Sequence, residues 1–160
     1  MSSTRDCVVR LADDPERDSR SLEAVLKRAE LDPDSEVLNL DSALAIERYF
    51  VFLAWLEGSP VGCVMATRED AAIIHTLVVV SERRGQTIAK QILQHAVEHL
   101  TRYEERRCLW TAVDPRRATA RERFLNLGFE PVRKRVMGFS LLRYVSETEE
   151  ERQPLDGSAV

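Results

Sequence analysis

A short basic turn between two apolar runs carries the residue types best suited to chemistry in this chain. Residues 77–89 read Leu-Val-Val-Val-Ser-Glu-Arg-Arg-Gly-Gln-Thr-Ile-Ala, which predicts a buried strand, a tight turn and the start of a long helix. A helix start exposes unpaired amides and the positive end of the helix dipole. With Arg83 and Arg84 beside it, such a turn could bind a phosphate or pyrophosphate. A plain strand-to-helix turn with its arginines in water is the alternative.

Two common phosphate-binding motifs are absent from the sequence. It contains neither a Gly-Lys-Ser/Thr P-loop nor a GxGxxG fingerprint, so a Rossmann dinucleotide site cannot be built. The six glycines are Gly58, Gly62, Gly85, Gly128, Gly138 and Gly157.

The histidines and cysteines do not form a metal motif. His95 and His99 are four residues apart on a predicted helix, but no acidic partner completes an HExxH pattern. The three cysteines are widely separated, odd in number and without a CxxC pair. We therefore expect neither a metal site nor a disulfide framework.

The elements that must position the turn follow from the hydrophobic periodicity. Strands are predicted at residues 7–11, 49–56, 61–68, 72–80, 108–113, 129–132 and 136–144. Helices are predicted after a cap at Ser19, over residues 42–47, over residues 86–102, and from a cap at Asp114-Pro115 to about Leu127, with Gly128 ending the last one.

These elements alternate in the order β α α β β β α β α β β. The unit over residues 72–113 is a βαβ crossover, whose two strands should be parallel, whereas the hairpins should be antiparallel. The sequence therefore predicts an α/β domain with a mixed sheet of about seven strands and helices on both faces.

Length and composition predict one domain. The chain has 160 residues, of which 44% are hydrophobic and 31% charged, so residues 1–145 can form a single core. Residues 146–160 are acidic and are expected to be a disordered tail. The longest apolar run, residues 49–56, is too short to span a membrane, and the first twenty residues lack a signal-like run. We therefore expect a cytoplasmic protein.

The charge is unevenly distributed along the chain. Residues 1–82 hold 8 basic and 16 acidic residues, whereas residues 83–135 hold 13 basic and 6 acidic ones. The basic segment begins at the predicted phosphate turn, which favours an anionic ligand there.

Two groups of residues resemble a known family. The pattern Leu77-x-Val79-x-x-x-x-Arg84-Gly85-x-x-x-Ala89, followed by a helix ending Phe124-x-x-x-Gly128-Phe129, is similar to the GNAT superfamily of acyl-CoA N-acyltransferases. The resemblance extends over the order of elements from Val8 to Tyr144. It implies the GNAT fold and the use of acetyl-CoA as cosubstrate.

The resemblance also implies roles for the turn. The backbone amides of residues 84–89, namely Arg84, Gly85, Gln86, Thr87, Ile88 and Ala89, would bind the pyrophosphate of coenzyme A. Leu77, Val78 and Val79 would pair with the pantetheine arm. Arg117, which stands where many members have an asparagine, could reach the 3′-phosphate or lie on a solvated face together with Arg116, Arg121 and Arg123.

The chain departs from the family pattern at two chemically important positions. Thr87 replaces a glycine of the turn, which narrows the approach to phosphate, although its hydroxyl can itself donate to phosphate. Phe124 replaces the tyrosine that often protonates the departing thiolate. Water, Tyr103 or Tyr144 would then have to supply that proton.

His75 is the candidate general base. It lies in the strand before the turn, and strand periodicity predicts that it is in phase with Leu77 and Val79. A histidine packed in a half-buried strand is the alternative, and Glu57, Glu69 or Asp70 could relay the proton instead. A backbone amide near Val78 or Val79 would stabilise the oxyanion.

The resemblance therefore predicts an N-acetyltransferase that moves an acetyl group to a primary amine by direct attack in a ternary complex. The alternative is a coenzyme A-binding sensor or interaction module with little turnover, motivated by Thr87 and Phe124. An RNA-binding domain that uses the basic segment is a third interpretation, but the chain lacks a GXXG clamp and an RNP-like motif. We expect no nucleic acid, membrane or metal partner. The acceptor and the oligomeric state stay open, with a homodimer as one candidate.

Overall fold

The computed structural model describes residues 7–31, 41–83 and 87–146. Its strands are β1 (Val8–Leu11), β2 (Tyr49–Leu56), β3 (Ser59–Thr67), β4 (Ala71–Val79), β5 (Cys108–Val113), β6 (Glu130–Val136) and β7 (Phe139–Val145). Its α-helices are α1 (Pro15–Arg28), α2 (Ser42–Arg48), α3 (Ile88–Arg102) and α4 (Ala118–Asn126), and a short 3-10 helix spans Ser81–Arg83.

The seven strands form one mixed sheet in the order β1-β2-β3-β4-β5-β7-β6. β4 pairs with β5 in parallel at residues 71–73, and the other neighbouring strands are antiparallel. The predicted α/β class and the order of strands and helices are therefore confirmed. The expected parallel pair and antiparallel hairpins are confirmed as well.

The chain divides into two compact units. The first consists of Met1–Arg68 and Ile74–Val97, and the second of Glu69–Ile73 and Glu98–Val160. The predicted single domain over residues 1–145 stays a prediction, and most of the predicted tail lies outside the described residues.

Each unit has its own apolar core. In the first unit the largest fully buried side chains are Leu22, Phe52, Leu53, Met65, Ile74, Ile92 and Leu93. In the second they are Leu100, Leu109 and Leu142. No α-helix within the described residues has the length and hydropathy that a membrane span requires.

Helix α1 begins earlier than predicted. The expected cap at Ser19 is wrong, because Ser19 lies inside the helix and its hydroxyl donates to the Glu16 carbonyl. Asp14 is the N-cap, and its carboxylate accepts from the amides of Glu16 and Arg17. Pro15 then occupies the first helical position, where its missing amide proton costs nothing.

Helix α4 begins later than predicted. The expected cap at Asp114-Pro115 is wrong, because Asp114 closes a separate turn in which its carbonyl accepts from the Arg117 amide at 2.9 Å. Arg117 is the N-cap residue of α4 and makes no side-chain capping bond. The carboxylate of Asp114 is instead engaged by Arg116.

Both tight hairpins are shorter than predicted. Glu57-Gly58 joins β2 to β3, and Met137-Gly138 joins β6 to β7; all four residues have positive φ. Two-residue turns of this kind match the twist of the flanking strands. β6 therefore continues through the basic residues 133–135, where the sequence pattern predicts a break between two strands. β6 lies at one edge of the sheet, and charged residues are common in edge strands.

Candidate functional site

A β-bulge interrupts β4 just before the predicted phosphate turn. Cys63 pairs with Val78 and Met65 pairs with His75, so β4 carries one residue more than β3 across this interval. Within the bulge, Thr76 has a φ of 56°, a conformation that is rare and strained for a β-branched residue. The strand therefore changes phase at Thr76.

The bulge places His75 and Val79 on opposite faces of the sheet. Val79 pairs with Gly62, whereas His75 pairs with Met65, and cross-strand partners in an antiparallel pair point to the same face. The expectation that His75 is in phase with Val79 is therefore wrong. An extra residue reverses the alternation on which that expectation depended. Val78 is the residue after the bulge that shares the face of His75.

His75 lies in a half-buried, mostly apolar setting. Its ring meets the edge of the Tyr49 ring with the centroids 5.0 Å apart. Its Nδ1 atom is 2.8 Å from the hydroxyl oxygen of Thr76. Burial lowers the pKa of His75 below the ordinary value of 6.5, because desolvation disfavours the imidazolium. His75 is therefore neutral, and so able to accept a proton, at a lower pH than an exposed histidine.

The last residues of β4 pair with a neighbouring strand on one side only, within the part of the chain that the structure describes. Val78 and Val79 pair with β3, and no second strand pairs with them among the described residues. Val78 is buried, and Leu77 and Val79 are half-buried. Unpaired backbone groups on a strand can pair with an extended ligand as another strand would.

Glycine at position 62 lets α3 lie close to the end of β4. A Cβ atom there would be 2.7 Å from Ile92 Cδ1 and 3.0 Å from the carbonyl oxygen of Val78. Both distances are shorter than ordinary van der Waals contact. The absence of a side chain at Gly62 therefore sets how closely α3 packs on β3 and β4.

Arg28, in α1, contacts two residues of the turn that follows β4. The amide of Arg83 donates to the Val80 carbonyl at 3.0 Å and closes the 3-10 helix. Glu82 forms an ion pair with Arg28, and hydrogen bonding from Arg28 lowers the pKa of Glu82. The hydroxyl of Ser81 donates to the Arg28 carbonyl at 3.2 Å.

Helix α3 begins with a structure suited to an anion. Thr87 precedes it, and the Thr87 carbonyl accepts the first helical hydrogen bond, from Gln91 at 3.0 Å. Among the described residues, no carbonyl stands one turn before the amides of Ile88, Ala89 and Lys90. The first turn holds no acidic residue, and Lys90 is exposed. These features fit a phosphate group.

The predicted cofactor residues of the turn divide into three groups. Arg84, Gly85 and Gln86 lie outside the described residues. Ile88 and Ala89 are 2% and 5% exposed, so their side chains belong to the core and their backbone amides alone could meet a ligand. Thr87 is exposed, which leaves its side chain accessible. The apolar residues of α3 recur at helical spacing, which predicts one buried face, and this face is confirmed by the burial of Ile88, Ala89, Ile92, Leu93, Ala96, Val97 and Leu100.

Arg117 is exposed at the N-cap position of α4. Its neighbour Arg116 is engaged by Asp114, with Nε to Oδ1 at 3.1 Å and Nη2 to Oδ2 at 2.9 Å. Hydrogen bonds from Arg116 lower the pKa of Asp114. Arg116 is thus engaged by Asp114, and the phosphate contact of Arg117 stays a prediction.

Phe124 belongs to an aromatic cluster. It is 6% exposed and meets Phe129 at a centroid distance of 5.2 Å, and Phe129 in turn contacts Tyr144 at 5.4 Å. Gly128 has a φ of 104°, and a Cβ there would be 3.3 Å from the Tyr144 ring. The predicted helix end at Gly128 is thus explained by conformation and by space. Tyr103, the other predicted proton donor, is 73% exposed.

Sequence reasoning missed three residues that shape this region. Gly62, Arg28 and Gln91 act through partners far away in the chain: Gly62 against Ile92, Arg28 against Glu82, and Gln91 against Cys7. No local motif marks Arg28 or Gln91. Gly62 stands inside a predicted strand, and such a glycine is a recognised sign of close approach.

Solved structures share this fold. An acetyltransferase of the GNAT family from Streptococcus pneumoniae matches with a TM-score of 0.71 at 18% identity, over 88% of this chain and 99% of its own. The PaiA N-acetyltransferase of Thermoplasma acidophilum, solved in complex with coenzyme A, matches with a TM-score of 0.67 at 11% identity, over 87% and 99%. The ribosomal-protein-S18-alanine N-acetyltransferase of Escherichia coli matches with a TM-score of 0.65 at 17% identity, over 86% and 91%.

The sequence comparisons bear on the family directly. No curated protein matches the chain in sequence. The model of the acetyltransferase (GNAT) family matches residues 12–129, well over half of the chain and the whole stretch from the end of β1 through the start of α3 to Phe129. The resemblance to the GNAT family is thereby confirmed, and the chain belongs to the GNAT acetyltransferase family.

Proposed function

We propose that this protein is an N-acetyltransferase that moves an acetyl group from acetyl-CoA to a primary amine in a ternary complex. The observation that carries the proposal is the start of α3, which has the exposed Thr87 before it, no acidic residue in its first turn and the exposed Lys90 within that turn. The amine nitrogen attacks the thioester carbonyl, the C–N bond forms as the C–S bond breaks, and the amine gives up a proton while the thiolate takes one up.

The cosubstrate would be held by backbone more than by side chains. The amides of Arg84, Gly85, Gln86, Thr87, Ile88 and Ala89 are the proposed ligands of the pyrophosphate. Leu77, Val78 and Val79 would pair with the pantetheine arm along the open side of β4. Arg117 would contact the 3′-phosphate. Support comes from family membership and from a similar fold solved with coenzyme A.

His75 is the proposed general base. An ammonium cannot attack a thioester, so the acceptor must lose its proton to a group that is unprotonated at working pH. The lowered pKa of His75 meets that requirement. If Nδ1–H donates to Thr76, the other ring nitrogen carries the lone pair that would accept the proton. The alternatives Glu57, Glu69 and Asp70 are all exposed.

Protonation of the thiolate is the step that this chain supports least. Phe124 has no proton to give, and its ring is packed against Phe129. Tyr144 and Tyr103 remain candidate donors, as does water. General acid help is worth about 10²- to 10⁴-fold in rate, so a chain without it would be slower without being inactive. This observation favours the second candidate function, a coenzyme A-binding sensor with little turnover.

The proposal for the acceptor rests on the charge of the first half of the chain. Residues 1–82 carry 16 acidic and 8 basic residues, which would attract a cationic amine. The E. coli protein with a similar fold acts on the alanine of a ribosomal protein according to its name, so a protein amine belongs in any acceptor panel. Small amines, amino acids and amine-bearing antibiotics complete it.

Binding is tested by thermal shift with acetyl-CoA, coenzyme A and a short RNA as separate ligands. A ligand that binds the native state alone raises the melting temperature. We expect both coenzymes to raise it and the RNA to leave it unchanged. The proposal would be wrong if neither coenzyme had an effect. Stabilisation by RNA alone would favour a nucleic-acid-binding role.

Turnover separates the enzyme from the sensor. Release of free thiol from acetyl-CoA is followed with each member of the acceptor panel, and acetylated products are identified by mass spectrometry. We expect transfer to a cationic amine. Binding of acetyl-CoA without transfer to any amine would favour the sensor, and a preference for anionic acceptors would contradict the charge argument.

A further inference from the structure

A chain of three hydrogen-bonded residues ends at the start of α3. The amide and the thiol of Cys7 lie 2.9 Å and 3.2 Å from Oε1 of Gln91. Nε2 of the same Gln91 side chain lies 2.9 Å from the hydroxyl oxygen of Thr87. Cys7 and Gln91 are half-buried and Thr87 is exposed.

The orientation of the Gln91 amide follows from its partner at Cys7. A backbone N–H can only donate a hydrogen bond, so the group that faces it must be the carbonyl oxygen of the glutamine. The Cys7 thiol can donate to the same oxygen. The NH₂ group of Gln91 is therefore turned toward Thr87.

The same reasoning fixes the role of the Thr87 hydroxyl. An NH₂ group has no acceptor to offer, so the Thr87 oxygen must accept and its own proton must point elsewhere. A threonine hydroxyl otherwise tends to donate to nearby backbone groups. The hydroxyl proton is therefore not directed at Gln91, and the helix start on which it lies holds no acidic residue in its first turn.

We propose that Gln91 is a positioning residue that directs the Thr87 hydroxyl to donate to the pyrophosphate of acetyl-CoA. This inference rests on the proposed function. A glycine at position 87 would offer its amide alone, whereas threonine adds a side-chain donor at the cost of space. Because the hydrogen bond from Gln91 orients the hydroxyl, threonine at position 87 would add a contact to the pyrophosphate as well as reduce the space for it. Gln91 itself need not touch the ligand.

The test reverses the hydrogen bond with little change in shape. In Gln91→Glu the carboxylate still accepts from Cys7 but can only accept at Thr87, so the hydroxyl proton turns toward residue 91. We expect the Kd of acetyl-CoA to rise about tenfold, as for the loss of one hydrogen bond to a charged group. Gln94→Glu is the matched control, because it adds the same charge at an exposed position of α3 and should change the Kd little.

Two comparisons separate positioning from charge and from general damage. In a Thr87→Val background, where no hydroxyl exists, Gln91→Glu should weaken binding only through the repulsion of its added charge, and so by less than in the wild-type background. S-acetylpantetheine lacks the pyrophosphate, so its affinity should be the same for wild type and for Gln91→Glu. Circular dichroism and melting temperature report whether each variant is folded.

The outcomes distinguish this inference from the proposed function. If wild type does not bind acetyl-CoA, the proposed function fails first. If wild type binds acetyl-CoA but Gln91→Glu matches Gln94→Glu, Gln91 does not position the hydroxyl. The inference is equally overturned if Gln91→Glu weakens acetyl-CoA binding as much in Thr87→Val as in the wild-type background, or if it weakens S-acetylpantetheine binding as much as acetyl-CoA binding.

Discussion

Arg28, in the last turn of α1, forms an ion pair with Glu82, which lies 54 residues further along in the 3-10 helix that follows β4. The same guanidinium donates to the hydroxyl of Ser59 at 3.0 Å and to the carbonyl of Pro60 at 3.1 Å. One side chain therefore joins α1, the start of β3 and the turn. The proposed phosphate site is thus held by a residue outside the β4–α3 segment itself.

Replacing Arg28 should loosen the turn. Arg28→Ala removes the ion pair and two further hydrogen bonds, so we expect acetyl-CoA binding to weaken several-fold, as measured by calorimetric titration. Arg28→Lys keeps the charge but not the planar fork of donors, and should fall between wild type and Arg28→Ala. Equal affinities of wild type and Arg28→Ala would show that the turn does not depend on this contact.

The ion pair also predicts a pH dependence of stability. Arg28 lowers the pKa of Glu82 below its ordinary value of 4.5, so the pair stabilises the folded state above that pH and is lost as the pH falls through the lowered pKa. Wild type should melt slightly higher than Glu82→Gln at pH 7, and the difference should disappear in acid. A difference that grows in acid would contradict this assignment.

His75 should set the acidic limb of the rate profile. Because burial lowers its pKa, kcat/KM should fall only below pH 6.5, the ordinary histidine value, as the imidazole becomes protonated. His75→Gln should lower kcat/KM by about 10²- to 10⁴-fold and abolish this limb. A limb that survives in His75→Gln would assign the base to another group.

Restoring a phenol at position 124 tests how the thiolate is protonated. Phe124→Tyr should raise kcat if proton delivery limits the rate, since general acid help is typically about 10²-fold or more. It should also destabilise the fold by about 1–3 kcal/mol if the buried hydroxyl finds no partner. Phe124→Leu is the control without a phenol. An unchanged kcat in Phe124→Tyr would show that another step, or another donor, governs turnover.

Gly62→Ala tests the close packing of α3. The new methyl group would meet Ile92 Cδ1 and the Val78 carbonyl, and overpacking of this kind costs about 1–3 kcal/mol. The melting temperature should fall accordingly. The double variant Gly62→Ala/Ile92→Val relieves the side-chain contact but not the backbone contact, so it should recover part of the loss. No loss in Gly62→Ala would mean that α3 can shift freely.

Periodicity was sufficient to predict the order of elements and the buried face of α3. It could not predict the face of His75, because the phase of β4 changes at Thr76 and threonine is not a residue that marks a left-handed backbone. The starts of α1 and α4 also differ from the predicted ones, because two similar Asp-Pro pairs have different partners. Asp14 caps α1, whereas the carboxylate of Asp114 is engaged by Arg116.

The candidate site could be predicted where its residues are local in sequence. Thr87, Ile88 and Ala89 follow from the turn motif. Arg28 does not, because it contacts the turn from α1, and Gln91 does not, because it bonds to Cys7, 84 residues away. These contacts join residues that are distant in sequence, so no local spacing of residues predicts them. Phe124 was identified by its departure from the family pattern, and the structure shows that its ring packs against Phe129.

The measurement that tests the account most directly is acetyl-CoA binding by Thr87→Asp. Aspartate is a favourable N-cap and interacts well with the helix dipole, so the melting temperature should hold or rise. Two like charges about 4 Å apart near a protein surface repel by about 4 kcal/mol, so the Kd of acetyl-CoA should rise by more than about tenfold. A stable Thr87→Asp protein that binds acetyl-CoA as tightly as wild type would contradict a pyrophosphate site at the start of α3.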